Sequence, residues 1–326
     1  MTTGTTGEVV IQTAGLSKSY GRTSALVDVD LEVHRGEVFG YLGPNGAGRT
    51  TTLRLLLGLL RPTRGQARVL GLDSWRQAPA IHARVGYVPG DPALYDKLTG
   101  RALTRYLGSL RGCYDGDGSL RGCYDGAHVA ALAQRLDLDL DRPAGTLSKG
   151  NRQKLVLVLA MMHRPELLLL DEPTSGLDPL VQVEFLAMMR EHVAEGGSVL
   201  LSSHVLDEVQ RVADRVGIIR AGRLVAIERL ETLRARSLHR LRAHLADGVS
   251  LSEFAEVPDL HDLRLRDGVL TCSAPQSSLD ALVKRLAAHE VLDLACEEAG
   301  LEETFLTYYG APTEAGASYA GQAEDA

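Results

Sequence analysis

The sequence predicts an α/β fold in which a mainly parallel sheet is covered by helices, with an inserted helical subdomain and a small α+β appendage at its C-terminal side. Two observations carry that expectation. Short, almost wholly apolar runs recur between stretches of helical periodicity, the pattern of strands buried on both faces. A glycine-rich loop also stands between one such run and a leucine-rich helical stretch.

Taken in order, Val27, Val29, Leu31 and Val33 alternate with polar residues, which predicts a half-buried strand ending at Arg35-Gly36. Glu37–Leu42 is a second strand; it breaks into Gly43-Pro44-Asn45-Gly46-Ala47-Gly48, and leucines from Leu53 to Leu60 then repeat at helical spacing. Val85–Val88, Leu167–Leu170, Ser198–Ser202 and Val216–Ile219 are further strand-like runs. Between Asp91 and Thr146 such runs vanish, and Leu98, Leu103, Tyr106, Leu107, Val129, Leu132 and Leu136 follow a helical pattern. We place the helical subdomain at residues 91–150, inside a domain spanning 8–237.

Within it, Gly108-Ser109-Leu110-Arg111-Gly112-Cys113-Tyr114-Asp115-Gly116 recurs letter for letter as Gly118–Gly126. Two copies at this short period do not build a solenoid, so the segment 108–126 reads as a recent local duplication or a sequence artefact rather than a functional repeat, in an exposed loop with Cys113 and Cys123 as free thiols. After Gly222, a strand (Leu224–Ile227) and a helix (Leu230–Ala235) lead to an accessory domain at 238–310, and the polar residues 311–326 predict a disordered tail.

At 326 residues the chain is long enough for about two domains with their own cores. Its 44% apolar and 24% charged content is ordinary globular usage, and four cysteines cannot form a disulfide scaffold. Lys plus Arg number 35 against 42 for Asp plus Glu, a net charge of −7, which argues against a nucleic-acid partner. The longest apolar runs, Leu53–Leu60 and Leu155–Met162, fall well short of the roughly 18 to 20 residues that span a bilayer. Met1–Gly7 has neither the basic start nor the apolar core of a secretory signal, so a cytoplasmic location is expected. Five of the basic residues are lysine (Lys18, Lys97, Lys149, Lys154, Lys284) and the rest arginine.

The pattern G-x-x-x-x-G-K-[ST] cradles phosphate because its glycines let backbone N–H groups face phosphate oxygens at a helix N-terminus. Here Gly43 and Gly48 are followed by Arg49, Thr50 and Thr51, so arginine stands where the pattern has lysine. Thr50 keeps the hydroxyl that would ligate Mg²⁺, and Thr51 adds a phosphate contact. Leu167–Leu170 then end in Asp171-Glu172, two carboxylates at the C-terminal edge of a buried strand, where ligands bind in α/β sheets. Asp171 would hold the Mg²⁺, and Glu172 would act as general base toward water in hydrolysis of the terminal phosphate.

Leu147-Ser148-Lys149-Gly150-Asn151-Arg152-Gln153 resembles the LSGGQ signature of ATP-binding-cassette (ABC) ATPases. Asp171-Glu172-Pro173-Thr174-Ser175-Gly176-Leu177-Asp178-Pro179 is similar to that family's Walker B plus D-loop, and His204 looks like its switch histidine. Tyr20 sits where the family stacks an aromatic ring on adenine. The motifs follow the family's order and spacing from about Val9 to Ile227. The resemblance implies a P-loop NTPase cassette in a head-to-tail homodimer, with ATP and Mg²⁺ between Gly43–Thr51 of one subunit and Ser148-Lys149-Gly150 of the other. Asp178 then lies at the dimer's nucleotide site, and His204 contacts the terminal phosphate.

Three positions depart from the family pattern. Arg49 keeps the lysine's charge but spreads it over a longer planar fork; loss of good transition-state positioning there costs about 2 to 4 kcal/mol. Gly90 stands where the family has the Q-loop glutamine, and Asp91, the next residue, offers an oxygen to the metal. Lys149 and Asn151 replace glycine and glutamine of the signature. The resemblance is strongest to the ATP-binding subunits of daunorubicin-resistance-type antibiotic and lipid exporters, whose end resembles Leu301–Gly310. It implies a separate transmembrane permease and a subunit held peripherally on the cytoplasmic face of the membrane. Ribosome-acting members carry two cassettes and DNA-repair members long heptad coiled coils; the sequence has neither pattern. A regulatory cassette with little or no hydrolysis is the alternative, because Arg49 and Gly90 weaken the same site.

Overall fold

The computed structural model describes residues 7–111, 124–236, 238–246 and 249–298. Most of the duplicated segment with Cys113 and Cys123, the stretch Leu301–Gly310 and the tail 311–326 lie outside the described residues. The chain forms two compact units, Met1–Glu228 and Arg229–Ala326.

The first unit opens with β1 (Val9–Tyr20), β2 (Thr23–Val29) and β3 (Glu32–His34), followed by β4 (Val38–Leu42) and helix α1 (Arg49–Leu56). Next come β5 (Arg64–Val69), β6 (Leu72–Asp73), α2 (Ala78–His82) and β7 (Val85–Val88). The helical segment holds α3 (Gly100–Leu110) and α4 (Gly126–Arg135) and leads into α5 (Lys149–Met161). Then follow β8 (Leu167–Asp171), α6 (Pro179–Ala194), β9 (Ser198–Ser203), α7 (Leu206–Val212), β10 (Arg215–Arg220) and β11 (Arg223–Arg229).

A six-stranded sheet has the order β11-β10-β4-β9-β8-β7, and its pairs from β10 through β7 are parallel. Every residue of β4, β8 and β9 is buried, as required of central strands covered on both faces. The register aligns Leu42 with Ser203, Ser202 with Asp171, and Leu170 with Val88. The C-terminal ends of four parallel strands therefore form one edge.

The Val27–Val33 strand is corrected to two, β2 and β3, both antiparallel to β1. Asp28 has φ 53°, and the Asp30 carboxylate accepts a hydrogen bond from Gly15 N at 2.6 Å, so the chain turns where the alternation predicted continuity. β1 also pairs with β5, making an antiparallel sheet β2-β1-β5-β6 that the sequence did not announce. Helix α1 starts earlier than its leucines indicate, because its first turn is Arg-Thr-Thr-Thr. The core joins both sheets through Ile11, Val33, Phe39, Tyr41, Leu53 and Leu169.

The ends of the duplicated segment are anchored separately. Arg111 ends α3, and its Nη1 donates to His82 O at 2.6 Å and to His163 Nε2 at 2.9 Å. On the far side, the Tyr124 hydroxyl meets Thr104 Oγ1 at 3.2 Å, and the Asp125 side chain caps α4 by accepting from Ala127 N and His128 N.

The second unit contains α8 (Leu230–Arg236), β12 (Leu238–Leu245), β13 (His261–Arg266), β14 (Val269–Pro275), α9 (Gln276–Leu286) and β15 (Val291–Glu298). Its antiparallel sheet runs β13-β14-β12-β15, and Leu241, Ala243, Leu270 and Cys272 pack with Leu282 and Leu286 of α9.

Candidate functional site

The edge formed by β4, β8 and β9 carries the residues selected by motif. Gly43 and Gly48 admit no side chain: a Cβ at Gly43 would stand 2.4 Å from Ile219 O, and one at Gly48 2.7 Å from Ala25 O. Gly48 also has φ 110° and precedes α1, whose first N–H groups open toward the loop. Pro44, Asn45, Gly46 and Ala47 complete the turn, closed by Ala47 N donating to Pro44 O at 3.1 Å. A cavity of about 380 Å³ lies over it, lined among others by Asn45, Arg49, Thr50, Thr51, Asp91 and Asp171.

Arg49 is only 6% exposed. Its Nη2 donates to Asn45 Oδ1 at 3.1 Å and to Glu172 Oε1 at 2.7 Å, while its Nη1 is buried without a partner. Asp171 is 3% exposed; its Oδ2 accepts from Thr50 Oγ1 at 2.7 Å and its Oδ1 from Ser202 Oγ at 2.5 Å. Glu172 leaves the strand with φ 49°, a left-handed conformation that costs a non-glycine residue about 1 to 2 kcal/mol. Its Oε1 is also 2.9 Å from His204 Nδ1, which donates to it. Burial pushes the Glu172 carboxyl up, but the hydrogen bonds from Arg49 and His204 outweigh burial and hold it below the usual carboxylate range.

The hydroxyl of Thr50 against the Asp171 carboxylate is a hard-oxygen pair suited to Mg²⁺, which keeps several waters or substrate oxygens and needs few protein ligands. Asp91 reaches the same cavity. A Cβ at Gly90 would meet Asp171 Oδ2 at 3.4 Å, an ordinary contact, so the backbone there does not demand glycine.

Other motif residues stand apart from this cavity's lining. Ser148 caps α5 by accepting from Asn151 N at 3.2 Å, and Lys149 and Gly150 form its first turn against Gly176. Asp178 caps α6 by accepting from Val181 N at 3.0 Å. Tyr20, 49% exposed at the end of β1, has Lys18 Nζ 5.1 Å above its ring. Sequence reasoning missed Ser202, which fixes one oxygen of Asp171; the signal was two serines closing an otherwise apolar strand. It also missed Ala25, from β2, which carries no motif, and Arg54, one turn beyond the motif residues of α1; both line the cavity. Among the described residues no helix is long and apolar enough to cross a membrane.

The ABC transporter family profile matches residues 26–175. The chain is 30% identical over 309 residues to the bacitracin transport ATP-binding protein BcrA of Bacillus licheniformis, covering 93% of this chain and 98% of that protein. It is 35% identical over 314 residues to the daunorubicin resistance ATP-binding protein DrrA3 of Streptomyces coeruleorubidus, covering 93% and 96%. Among solved structures it is similar to an ATP-binding subunit of an ABC transporter, with 31% identity, a TM-score of 0.61, and coverage of 69% of this chain and 92% of the other.

Proposed function

The chain belongs to the ABC transporter family, and from that premise we propose that it is the ATP-binding and ATP-hydrolysing subunit that drives a separate membrane permease in drug or antibiotic export. The observation that carries the reading is the convergence of Arg49, Thr50, Asp171 and Glu172 at one cavity above a glycine-rich turn. The names of the relatives, which concern bacitracin transport and daunorubicin resistance, support export of such compounds.

In this reading the N–H groups of Gly43–Gly48 and the first turn of α1 hold the phosphates, with Thr50 and Thr51 adding hydroxyls. Bound Mg²⁺ would supply charge neutralisation on the phosphates, and Thr50 and Asp171 are the residues that would hold it, with Asp91 beside them. Ser202 fixes the Asp171 carboxylate in that task. Glu172 takes the proton of the attacking water, and His204 orients that carboxylate and the terminal phosphate. Tyr20 stacks on the base.

Ser148, Lys149 and Gly150 do not line the cavity of their own chain, which supports their serving a second copy's nucleotide in a homodimer, with Asp178 near the junction. Tyr95, Tyr106 and Leu110 expose apolar surface in the helical subdomain, suited to a permease. We read residues 8–237 as the ATP-binding domain and 238–310 as an accessory domain; the subunit acts peripherally on the cytoplasmic face, with no nucleic-acid partner.

The test is steady-state ATPase activity beside nucleotide affinity. Turnover that falls at least 100-fold in Glu172→Gln, with ATP binding retained, is the expected result. The direct contact between Arg49 and Glu172 favours one second reading, a regulatory cassette; ATP binding without turnover in the wild type, restored by Arg49→Lys, would establish it instead.

A further inference from the structure

Arg49, which stands where the phosphate-loop pattern has lysine, and His204, assigned above to the terminal phosphate, converge on a single atom, Glu172 Oε1, at 2.7 and 2.9 Å. The arrangement is that of an anion seat already holding an anion. A guanidinium and an imidazole N–H directed at one oxygen are what a phosphate oxygen would meet. Arg49 is also left incomplete, since Nη1 is buried without an acceptor while Nη2 serves both Asn45 and Glu172. A buried donor without a partner costs free energy that an arriving oxygen recovers.

Resting on the nucleotide-site reading, we propose that the Glu172 carboxylate is an internal stand-in for the terminal phosphate, locked between Arg49 and His204 until that phosphate displaces it. Because the two N–H groups meet at that one atom, a phosphate oxygen that takes both donors must displace Oε1. When ATP enters, its terminal oxygens take the Arg49 fork, satisfying Nη1 as well, and Glu172 is freed to turn toward water. ADP lacks the group that competes for the seat, so the lock stays closed. Arginine suits the device better than lysine, because a planar fork can pass from one oxyanion to another while Asn45 keeps hold of it. The position that departs from the family pattern thus makes the enzyme discriminate nucleotides by the terminal phosphate before any chemistry.

The test is calorimetric titration of the full-length chain with ATP and with ADP in EDTA, where no turnover occurs. Glu172→Gln removes the competing charge with little change of shape and is expected to tighten ATP about tenfold while moving ADP less than about twofold. Glu172→Ala, which removes the carboxylate by truncation instead, must change the ATP-to-ADP affinity ratio in the same direction. Equal tightening of both nucleotides, or of neither, overturns the lock while leaving the nucleotide site standing. No binding of either nucleotide by the wild-type chain or by the variants overturns the lock and the site together.

Discussion

Acidification from pH 7 to pH 5 is expected to destabilise the first unit by an amount traceable to His163. Burial, and then the charge of Arg111, lower this histidine from 6.5 to about 4. Arg111 Nη1 donates to His163 Nε2, so that nitrogen must stay unprotonated for the contact to survive. A histidine with a folded-state value below its unfolded one is neutral in the native protein. Its contribution is whole above about pH 6.5 and is lost as pH falls from there to about 4. The two proton-binding curves differ by about 2 kcal/mol in stability at pH 5 and about 3 kcal/mol at full protonation. Urea unfolding followed by Trp75, the chain's single tryptophan and a residue of the first unit, measures it. His163→Gln is the informative partner: its amide oxygen can accept from Arg111 and its NH₂ can donate to Val85 O, which lies 3.2 Å from Nε2 in the wild type. The wild type should lose about 2 kcal/mol more than His163→Gln between the two pH values. A difference below about 0.5 kcal/mol would show that His163 is charged or solvated in the folded state and refute the reasoning.

Three substitutions test the site and its support. Gly90→Gln adds a side chain whose Cβ stands in ordinary contact with Asp171, so stability should change by less than about 0.5 kcal/mol in urea unfolding while turnover at saturating ATP rises severalfold; a loss above about 2 kcal/mol would mean that the contact is strained. Ser202→Ala strips a donor from a buried carboxylate and should cost about 1.5 to 3 kcal/mol in urea titration, with a near-zero change counting against the bond. Gly86→Ala would push a Cβ to 2.2 Å from Ala160 O, where α5 packs on β7; thermal unfolding should show a loss of about 1 to 3 kcal/mol or more.

Strands buried on both faces were legible because burial leaves an unbroken apolar signature, as in Leu167–Leu170. β1 was not, since Gly15, Lys18 and shifts of register against β2, β3 and β5 break the alternation that marks a half-covered strand. For the site, motif spacing placed Thr50 in the loop-to-helix turn after one strand and Asp171 at the C-terminal edge of another, because loop and strand edge are fixed by local turns. What spacing could not supply is which charged group meets which. Arg49 and Glu172 are 123 positions apart, and their bond follows only once β4 and β8 flank β9 in one sheet. Asp178 shows what motif spacing leaves out: in its own chain the same carboxylate caps α6 and lies 3.8 Å from Lys154 Nζ.

The anchorage of the duplicated nonapeptide is divided between its copies. Arg111, docked on His82 and His163, belongs to the first copy, whereas Tyr124 and Asp125, which fasten the start of α4, belong to the second. Because the copies are identical and in register, excising any ten consecutive residues within the repeat leaves the same product, in which one copy supplies both anchors. Gain or loss of one ten-residue unit therefore changes the length of the segment while keeping the residue types of both attachments in the sequence. The tie of α3 and the tie of α4 are thus written twice in the chain and used once each.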